Sequence, residues 1–249
     1  MGIFSRILGS DSRGMDIKKN EKEAQKNYTK ANLLVEMGRF DEALAEYDRS
    51  SEMWDKIGNY LSENHNEERA LEAYRRSAEA RSSKGGIYYK SGKYEEALNS
   101  VDPLLKIAPG SSLQWSNRGL ALFNLKRYEE AIRSFNKALE IDPELAGTWC
   151  SRGSSLMELG RYEESLESFD KARENAEVIE FRFPRFTWVP PTENKELKYD
   201  VADACYLKGI ALTMLGRYKE AVESFDEALE TRPDYAAAVN ARKKAISKI

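Results

Sequence analysis

Apolar residues recur along this chain at helical spacing, in segments broken by glycine and by charged turns. In residues 112–145, Trp115, Gly119 and Leu122 fall at i, i+4 and i+7, so they share one face of a helix. A second segment with the same spacing starts at Tyr128. The pattern predicts pairs of amphipathic α-helices.

Glycines and acidic pairs mark the turns between the predicted helices. Glycine stands at positions 38, 92, 160 and 216, where the first helix must end and a left-handed residue is needed. The second helix opens on acidic pairs, which its dipole favours, at Asp41-Glu42, Glu95-Glu96, Glu129-Glu130 and Glu163-Glu164. Prolines at 109, 143 and 233 then separate one pair from the next. Gly119 is expected to face Ala131, so that the helices cross closely.

The helix pairs are copies of one another. Trp115-Ser-Asn-Arg-Gly119 aligns with Trp149-Cys-Ser-Arg-Gly153 at a shift of 34 residues, and Phe135 then aligns with Phe169. Copies begin near residues 24, 78, 112, 146 and 202. Each pair leaves one apolar face uncovered, so neighbouring pairs must stack.

This pattern resembles the tetratricopeptide repeat, which reads Trp-x2-Leu-Gly-x2-Tyr, then Ala-x3-Phe, Ala and Pro. The match covers most of residues 24–248. All five copies carry a basic residue before the glycine position, where leucine is usual. Its stem is expected to pack while its charge reaches solvent. The resemblance implies an all-α fold, a right-handed superhelical α-solenoid of about five helix pairs with a C-terminal capping helix.

The period predicts how the chain is organised. A flexible N-terminal arm (1–19) precedes a solenoid (20–249), in which insertions interrupt the repeats. The repeats lie near 24–57, 78–111, 112–145, 146–175 and 202–235, with insertions at 58–77 and 176–201 and a capping helix at 236–248.

The two insertions differ in character. Residues 58–77 are interpreted as part of a protruding hairpin of lengthened helices. A degenerate extra repeat fits nearly as well, though it would crowd the repeat before it. Residues 176–201 are rich in aromatic residues and proline, which no repeat helix explains. This segment supplies a possible second contact surface at Phe181, Phe183, Phe186 and Trp188.

Composition excludes several classes of function. Hydrophobic residues make up 41% and charged residues 33% of the 249, and no apolar run approaches the ~20 residues of a spanning helix. A net charge of −3 argues against nucleic acid as the partner, because phosphate binding needs a basic face. We expect no integral membrane segment.

The N-terminal segment carries its own apolar pattern. Gly2 suggests myristoylation, but the motif requires Ser or Thr at the position of Arg6. Apolar residues at 3, 4, 7 and 8 form a small face that would touch a membrane or a groove, and a frayed tail is the simpler interpretation. No secretory signal is recognised, and a reducing cytoplasm is the expected compartment.

The sequence offers little material for catalysis. The one histidine, His65, lies in a polar turn with Ser62 and Glu68 nearby, without the convergent partners of an active site. Cys150 and Cys205 lack further ligands at metal spacing and are expected to pack as small residues. We predict no enzymatic activity, no metal site and no cofactor.

In proteins that this chain resembles, the first helix of each pair lines a concave groove. The resemblance therefore assigns a peptide-binding groove to Tyr89, Leu113, Ser116, Asn117, Leu120, Phe123, Asn124, Cys150, Ser154, Met157, Tyr206, Ile210 and Met214. One branch of the family clamps a terminal carboxylate with Lys, Asn and Arg. Asn117 matches the middle element, but its neighbours are small residues, so the clamp is absent.

The predicted function is that of an adaptor for a protein or peptide partner. An apolar or amphipathic segment suits the groove, in which methionine packs adaptably. The alternative is a self-assembling homo-oligomer whose groove is filled by its own insert or arm. A regulatory arm of an enzyme would need its catalytic domain on a partner.

Overall fold

The computed structural model describes residues 15–176 and 201–249, and these residues form eleven α-helices without a β-strand. The helices are α1 (Ile17–Glu36), α2 (Phe40–Glu63), α3 (Glu67–Lys90), α4 (Tyr94–Ile107), α5 (Ser112–Asn124), α6 (Tyr128–Ile141), α7 (Ala146–Glu158), α8 (Tyr162–Ala176), α9 (Val201–Met214), α10 (Tyr218–Thr231) and α11 (Ala236–Ile246). The predicted all-α fold is confirmed.

The chain divides into two compact units, and the division falls inside α3. Unit 1 is residues 1–83 and unit 2 is residues 84–249. In unit 1, α1 packs on α2. Its core contains Ala24, Trp54, Ile57, Leu61, Ala70 and Ala73.

Hydrogen bonds in unit 1 recur at a period of 27 residues. Tyr47 donates its hydroxyl to Asn32 Oδ1, and Tyr74 donates to Asn59 Oδ1 at 2.7 Å. Both members of the second bond lie 27 residues after those of the first. The same polar contact between two helices is therefore built twice.

Two buried serines follow the same period. The Ser50 hydroxyl donates to the carbonyl of Ala24 at 2.9 Å, and the Ser77 hydroxyl donates to the carbonyl of Ser51 at 3.1 Å. The contacts of residues 51–77 thus repeat those of the preceding 27 residues.

For residues 58–77 we favour a shortened repeat. α2 and α3 are each 24 residues long and are joined by a turn. A Cβ on Gly58 would lie 2.7 Å from the ring of Tyr74, the kind of contact that also closes the later pairs. No crowding results, because α2 serves as the second helix of one repeat and continues unbroken as the first helix of the next.

In unit 2, an aromatic ring lies on a glycine within the helix pairs. The contacts are Gly119–Phe135, Gly153–Phe169 and Gly209–Phe225. A Cβ at these glycines would lie 2.4, 2.6 and 2.5 Å from the nearest ring carbon, which is closer than carbon atoms approach. The sequence placed Gly119 opposite Ala131, but the ring of Phe135 fills the space over the glycine.

The turns within the pairs use left-handed residues. Glycines 38, 92, 160 and 216 have φ between 71° and 73°, as predicted. His65 and Lys126 hold the corresponding turn positions with φ of 59°. This conformation costs a residue with a Cβ about 1–2 kcal/mol, so these two turns are strained relative to the others.

Tryptophan ties the start of two pairs to the preceding proline turn. The indole nitrogen of Trp115 donates to the carbonyl of Pro109 at 2.8 Å, and Trp149 donates to Pro143 at 2.8 Å. The prolines therefore end one pair and anchor the next.

The last helix has the geometry expected of a cap. α11 packs on α10 and buries Ala238 and Ala245. Lys243, which is exposed, stands at the position that Gly119 takes in its pair. A lysine there leaves no room for an overlying ring, so α11 covers α10 without opening another pair of this kind.

We predict that Gly119→Ala lowers the free energy of unfolding by about 1–3 kcal/mol, because the added methyl overlaps the buried ring of Phe135. Urea unfolding followed by circular dichroism measures the change. Gly110→Ala is the matched control, since nothing lies within 4 Å of its added Cβ. Equal effects of the two substitutions would contradict the contact.

A second substitution probes the strained turn of unit 2. Lys126→Gly is expected to raise the free energy of unfolding by about 1 kcal/mol, since glycine adopts positive φ at little cost. Gly160→Ala, at an equivalent turn, should lower it by a similar amount. Thermal unfolding of both variants in the same buffer shows whether each substitution raises or lowers the stability.

Candidate functional site

The first helices of successive pairs in unit 2 lie side by side. α5 contacts α7, and α7 contacts α9. Ser116 on α5 shares a hydrogen bond of 2.9 Å with Thr148 on α7. We call the surface formed by α5, α7 and α9, together with Tyr89 at the end of α3, the first-helix wall.

Most of the side chains assigned to a groove are partly accessible on this wall. The half-buried ones are Tyr89, Leu113, Ser116, Leu120, Phe123, Asn124, Ser154, Met157, Tyr206 and Ile210. Met214 is 58% exposed. These residues come from equivalent positions of stacked pairs, so they are candidates for one continuous surface.

Two assigned residues are buried. Cys150 has no exposed surface and Asn117 has 2%. The Nδ2 atom of Asn117 has no hydrogen-bond partner among the described residues. Ser151, one of the small residues that replace the clamp, donates its hydroxyl to the Gly147 carbonyl at 2.8 Å. Neither Cys150 nor Asn117 offers a partner much surface.

Aromatic and amide groups contact one another at the end of the wall formed by α5 and Tyr89. Phe123 meets Tyr128 edge to face, with ring centroids 5.5 Å apart. Asn124 donates to the Tyr89 hydroxyl at 3.0 Å, and burial raises the pKa of Tyr89. Leu120 and Phe123 also pack against the core of unit 2. Their inner sides therefore support the fold while their outer sides stay accessible.

The wall carries few charges. Glu158 lies beside Met157 and accepts a bond of 3.3 Å from the Tyr128 hydroxyl. Asp203 is held in an ion pair of 3.2 Å with Arg232. None of the assigned groove residues is basic, which leaves the surface neutral to weakly acidic.

The basic residue before each glycine forms a ladder that sequence reasoning missed. Arg118 Nε donates to Asp102 of the preceding helix pair at 2.8 Å, and its Nη1 donates to Ser134 of its own pair at 2.7 Å. Lys208 binds Asp170 in the same way at 2.7 Å. The equal spacing of the acidic residues in the copies was a signal that could have revealed these bonds.

The ladder has one neutral step. Arg152 donates to Asn136 at 2.7 Å and to Ser168 at 2.5 Å, where the other steps offer a carboxylate. Burial lowers the pKa of Arg152, and its guanidinium also lies 5.6 Å from the ring centroid of Trp149. The positive charge is therefore held by an amide, a hydroxyl and an aromatic face.

The repeated arginines at the turns pair with a nearby glutamate. Arg127 binds Glu130 at 2.7 Å, which lowers the pKa of that glutamate. Arg39, Arg161 and Arg217 form the same bond with the glutamate three residues on. Arg127 and Arg217 also contact a glutamate of the preceding pair, Glu95 at 3.8 Å and Glu163 at 3.2 Å.

Both cysteines are buried. Burial is the main cause that raises the pKa of Cys205 to about 12, and Glu227 adds to it. A thiol in this state is a poor nucleophile.

His65 stands exposed in the turn between α2 and α3. The Ser62 hydroxyl points to the carboxylate of Glu67 at 3.4 Å. Within residues 15–176 and 201–249, no group of three or more His, Cys, Asp or Glu side chains is placed to hold a metal ion.

Two sequence predictions concern segments outside the described residues. The aromatic surface at Phe181, Phe183, Phe186 and Trp188, and most of the N-terminal arm, lie outside the described residues. Among the helices that are described, none is both long and apolar enough to cross a membrane.

Family models for the tetratricopeptide repeat match residues 56–112, 112–145, 146–176 and 202–235. Together these matches cover more than half of the chain. The protein belongs to the tetratricopeptide repeat family, and its fold is an all-α tetratricopeptide solenoid.

Solved structures show the same fold. YrrB, a TPR protein with an unusual peptide-binding site, is 21% identical with a TM-score of 0.58, covering 91% of this chain and 95% of its own. MamA is 18% identical with a TM-score of 0.58, covering 88% and 93%. A thermophilic TPR protein of Thermus thermophilus, TTC0263, is 19% identical with a TM-score of 0.50, covering 90% and 98%. No protein of curated function matches the sequence.

The neutral step of the ladder yields a prediction. Asn136→Asp places a carboxylate beside the half-buried Arg152 and should raise the free energy of unfolding by up to ~1 kcal/mol, less at high salt. Asp102→Asn, the reverse change one step earlier, should lower it by a comparable amount. Urea unfolding at low and high salt measures both. A loss of stability in Asn136→Asp would show that the amide of Asn136 stabilises Arg152 more than a carboxylate does.

Proposed function

We propose that this protein is an interaction adaptor that binds an apolar or amphipathic segment of a partner protein along the first-helix wall. The observation that carries the proposal is the run of partly exposed apolar side chains on α5, α7 and α9. Leu120 and Ile210 occupy the same repeat position, and Met157 occupies the position that Phe123 takes on α5. Leu120 and Ile210 pack their inner sides against core clusters of unit 2, and their outer sides stay accessible.

The chemistry of the wall selects the class of partner. Methionine and leucine adapt to irregular apolar surfaces, and the hydroxyls and amides between them can bind a peptide backbone. Without a basic side chain among the assigned groove residues, an acidic peptide or a free carboxylate terminus gains little. A neutral or basic amphipathic helix or strand fits best.

The proposal makes the protein a scaffold without enzymatic activity, acting in the cytoplasm on a protein partner and not on nucleic acid. The burial of both cysteine thiols supports the proposal. Family membership supports it as well, since stacked helical repeats build extended binding surfaces.

The test uses two accessible methionines of the wall. Met157→Glu combined with Met214→Glu should abolish partner capture in an affinity pull-down read by mass spectrometry. Each apolar anchor contributes about 1–3 kcal/mol, so the double variant should bind a captured partner at least ~30-fold more weakly. Far-UV circular dichroism should stay at the wild-type level.

Ile141→Glu is the matched control, because it places the same charge on a 42% exposed apolar residue of α6, away from the wall. It should leave capture intact. Capture of the same partners by the double variant would contradict the proposal and direct attention to residues 177–200. A wild-type protein that captures nothing and has an oligomeric mass by light scattering would instead favour self-assembly.

A further inference from the structure

The first helix of unit 1 leaves a stacking position uncovered. In unit 2 the tenth residue of each copy, counted from its first residue, is Ile87, Ala121, Ser155 or Ala211, each at most 3% exposed. The same position on α1 is Leu33, which is 54% exposed. The position is buried in these four copies, so its exposure on α1 marks a face that no described element covers.

Leu33 belongs to a local apolar patch. Met37, one helical turn further along α1, is 65% exposed, and Phe40 at the start of α2 is 36% exposed. A single exposed apolar residue needs no explanation, whereas a group at the end of one helix hairpin does. We call these three residues the hairpin-end patch.

We propose that residues 3–8 of this chain cover the hairpin-end patch and form an intramolecular N-terminal cap of unit 1. This inference goes beyond the proposed function, because it concerns a surface separate from the first-helix wall. The chain supplies a comparable element, α11, on the last helix pair.

The chain preceding α1 has the length that the cap requires. From Ile17 to Met37, α1 rises by about 30 Å. Residues 9–16 span at most ~26–29 Å when extended, so residues 3–8 can lie beside the patch. Glycine and serine make up half of residues 9–16, a composition typical of linkers.

The side chains of residues 3–8 complement the patch. Ile3, Phe4, Ile7 and Leu8 would share one face of a helical turn, since they are spaced i, i+1, i+4 and i+5. Arg6 would lie at the edge of that face. On the structure, the patch is flanked by the exposed acidic residues Glu36 and Asp41, which complement the arginine charge, while the neighbouring Arg39 is paired with Glu42.

The small size of the patch favours an intramolecular occupant. Three side chains fall far short of the ~1,000 Å² that a specific interface between separate molecules buries. A segment tethered by a short linker has an effective concentration in the millimolar range, so a weak contact suffices to hold it. A second copy of the chain or a foreign partner lacks this advantage.

Disulfide trapping in the full chain tests the cap. Ile7→Cys combined with Met37→Cys should form an intramolecular disulfide on mild oxidation, seen by peptide mapping. The native thiols do not interfere, because Cys150 and Cys205 are buried.

The matched control is Ile7→Cys with Leu71→Cys. Leu71 is 50% exposed, and its helix meets the start of α1 through the 2.8 Å ion pair of Arg69 with Glu21. An arm that samples its surroundings freely would reach Leu71 at least as readily as Met37. We expect the Met37 pair to close at least tenfold faster. Equal rates overturn the proposal, and disulfide-linked dimers show that a second copy occupies the patch instead.

Melting temperatures of serine variants test the cap independently, in case the cysteine variants do not fold. Phe4→Ser and Leu33→Ser should each lower the melting temperature, and the double variant should lower it by no more than the larger single shift, since both remove one contact. Additive shifts, or no shift from Phe4→Ser, would overturn the cap.

Discussion

The aromatic ring that lies on a glycine inside a helix pair is the contact on which the rest of the structure depends. Because Gly119 has no side chain, α5 and α6 approach until the ring of Phe135 fills the space between them, and the ring is then wholly buried. Close packing of this kind tolerates no added methyl group. The contact fixes how far apart the two helices lie, and thereby which face of the first helix turns away from the pair. The accessible positions of the first-helix wall follow from that distance.

Ion pairs between neighbouring helix pairs, including those of the basic ladder, provide the second constraint, since they relate one pair to the next. Lys208 binds Asp170 at 2.7 Å and Arg217 binds Glu163 at 3.2 Å, although residues 177–200 separate the partners along the chain. The uninterrupted pairs use the same positions in Arg118–Asp102 and Arg127–Glu95. Stacking in unit 2 therefore does not depend on the length of the connection. A long segment can be added at this junction for a modest entropic cost, because loop-closure entropy grows slowly with length.

The sequence predicted those features that a single repeat determines locally. Helix periodicity, the glycine turns and the proline boundaries were confirmed, because spacing and backbone conformation dictate them. The 27-residue contacts of unit 1 were missed as a period, since α2 and α3 serve two repeats each and no turn marks the boundary between them. The ladder was missed because its two partners lie in different copies. The burial of Cys150 and Asn117 could not be inferred from spacing alone, since the same helix position is half-buried in one pair and covered in another.

The wall itself is the part of the molecule least explained by folding. Small residues such as Ala121 and Ala211 are required where neighbouring helices touch, and glycine is required beneath the rings. Neither constraint reaches Met157 or Met214, where a polar side chain would satisfy the fold and reduce the apolar surface in contact with water. α9 carries apolar residues on both faces, with Ile210 half-buried and Met214 exposed. Apolar side chains that stay accessible on adjacent first helices, beyond what the helix-pair cores bury, are the basis of the proposed binding of a partner.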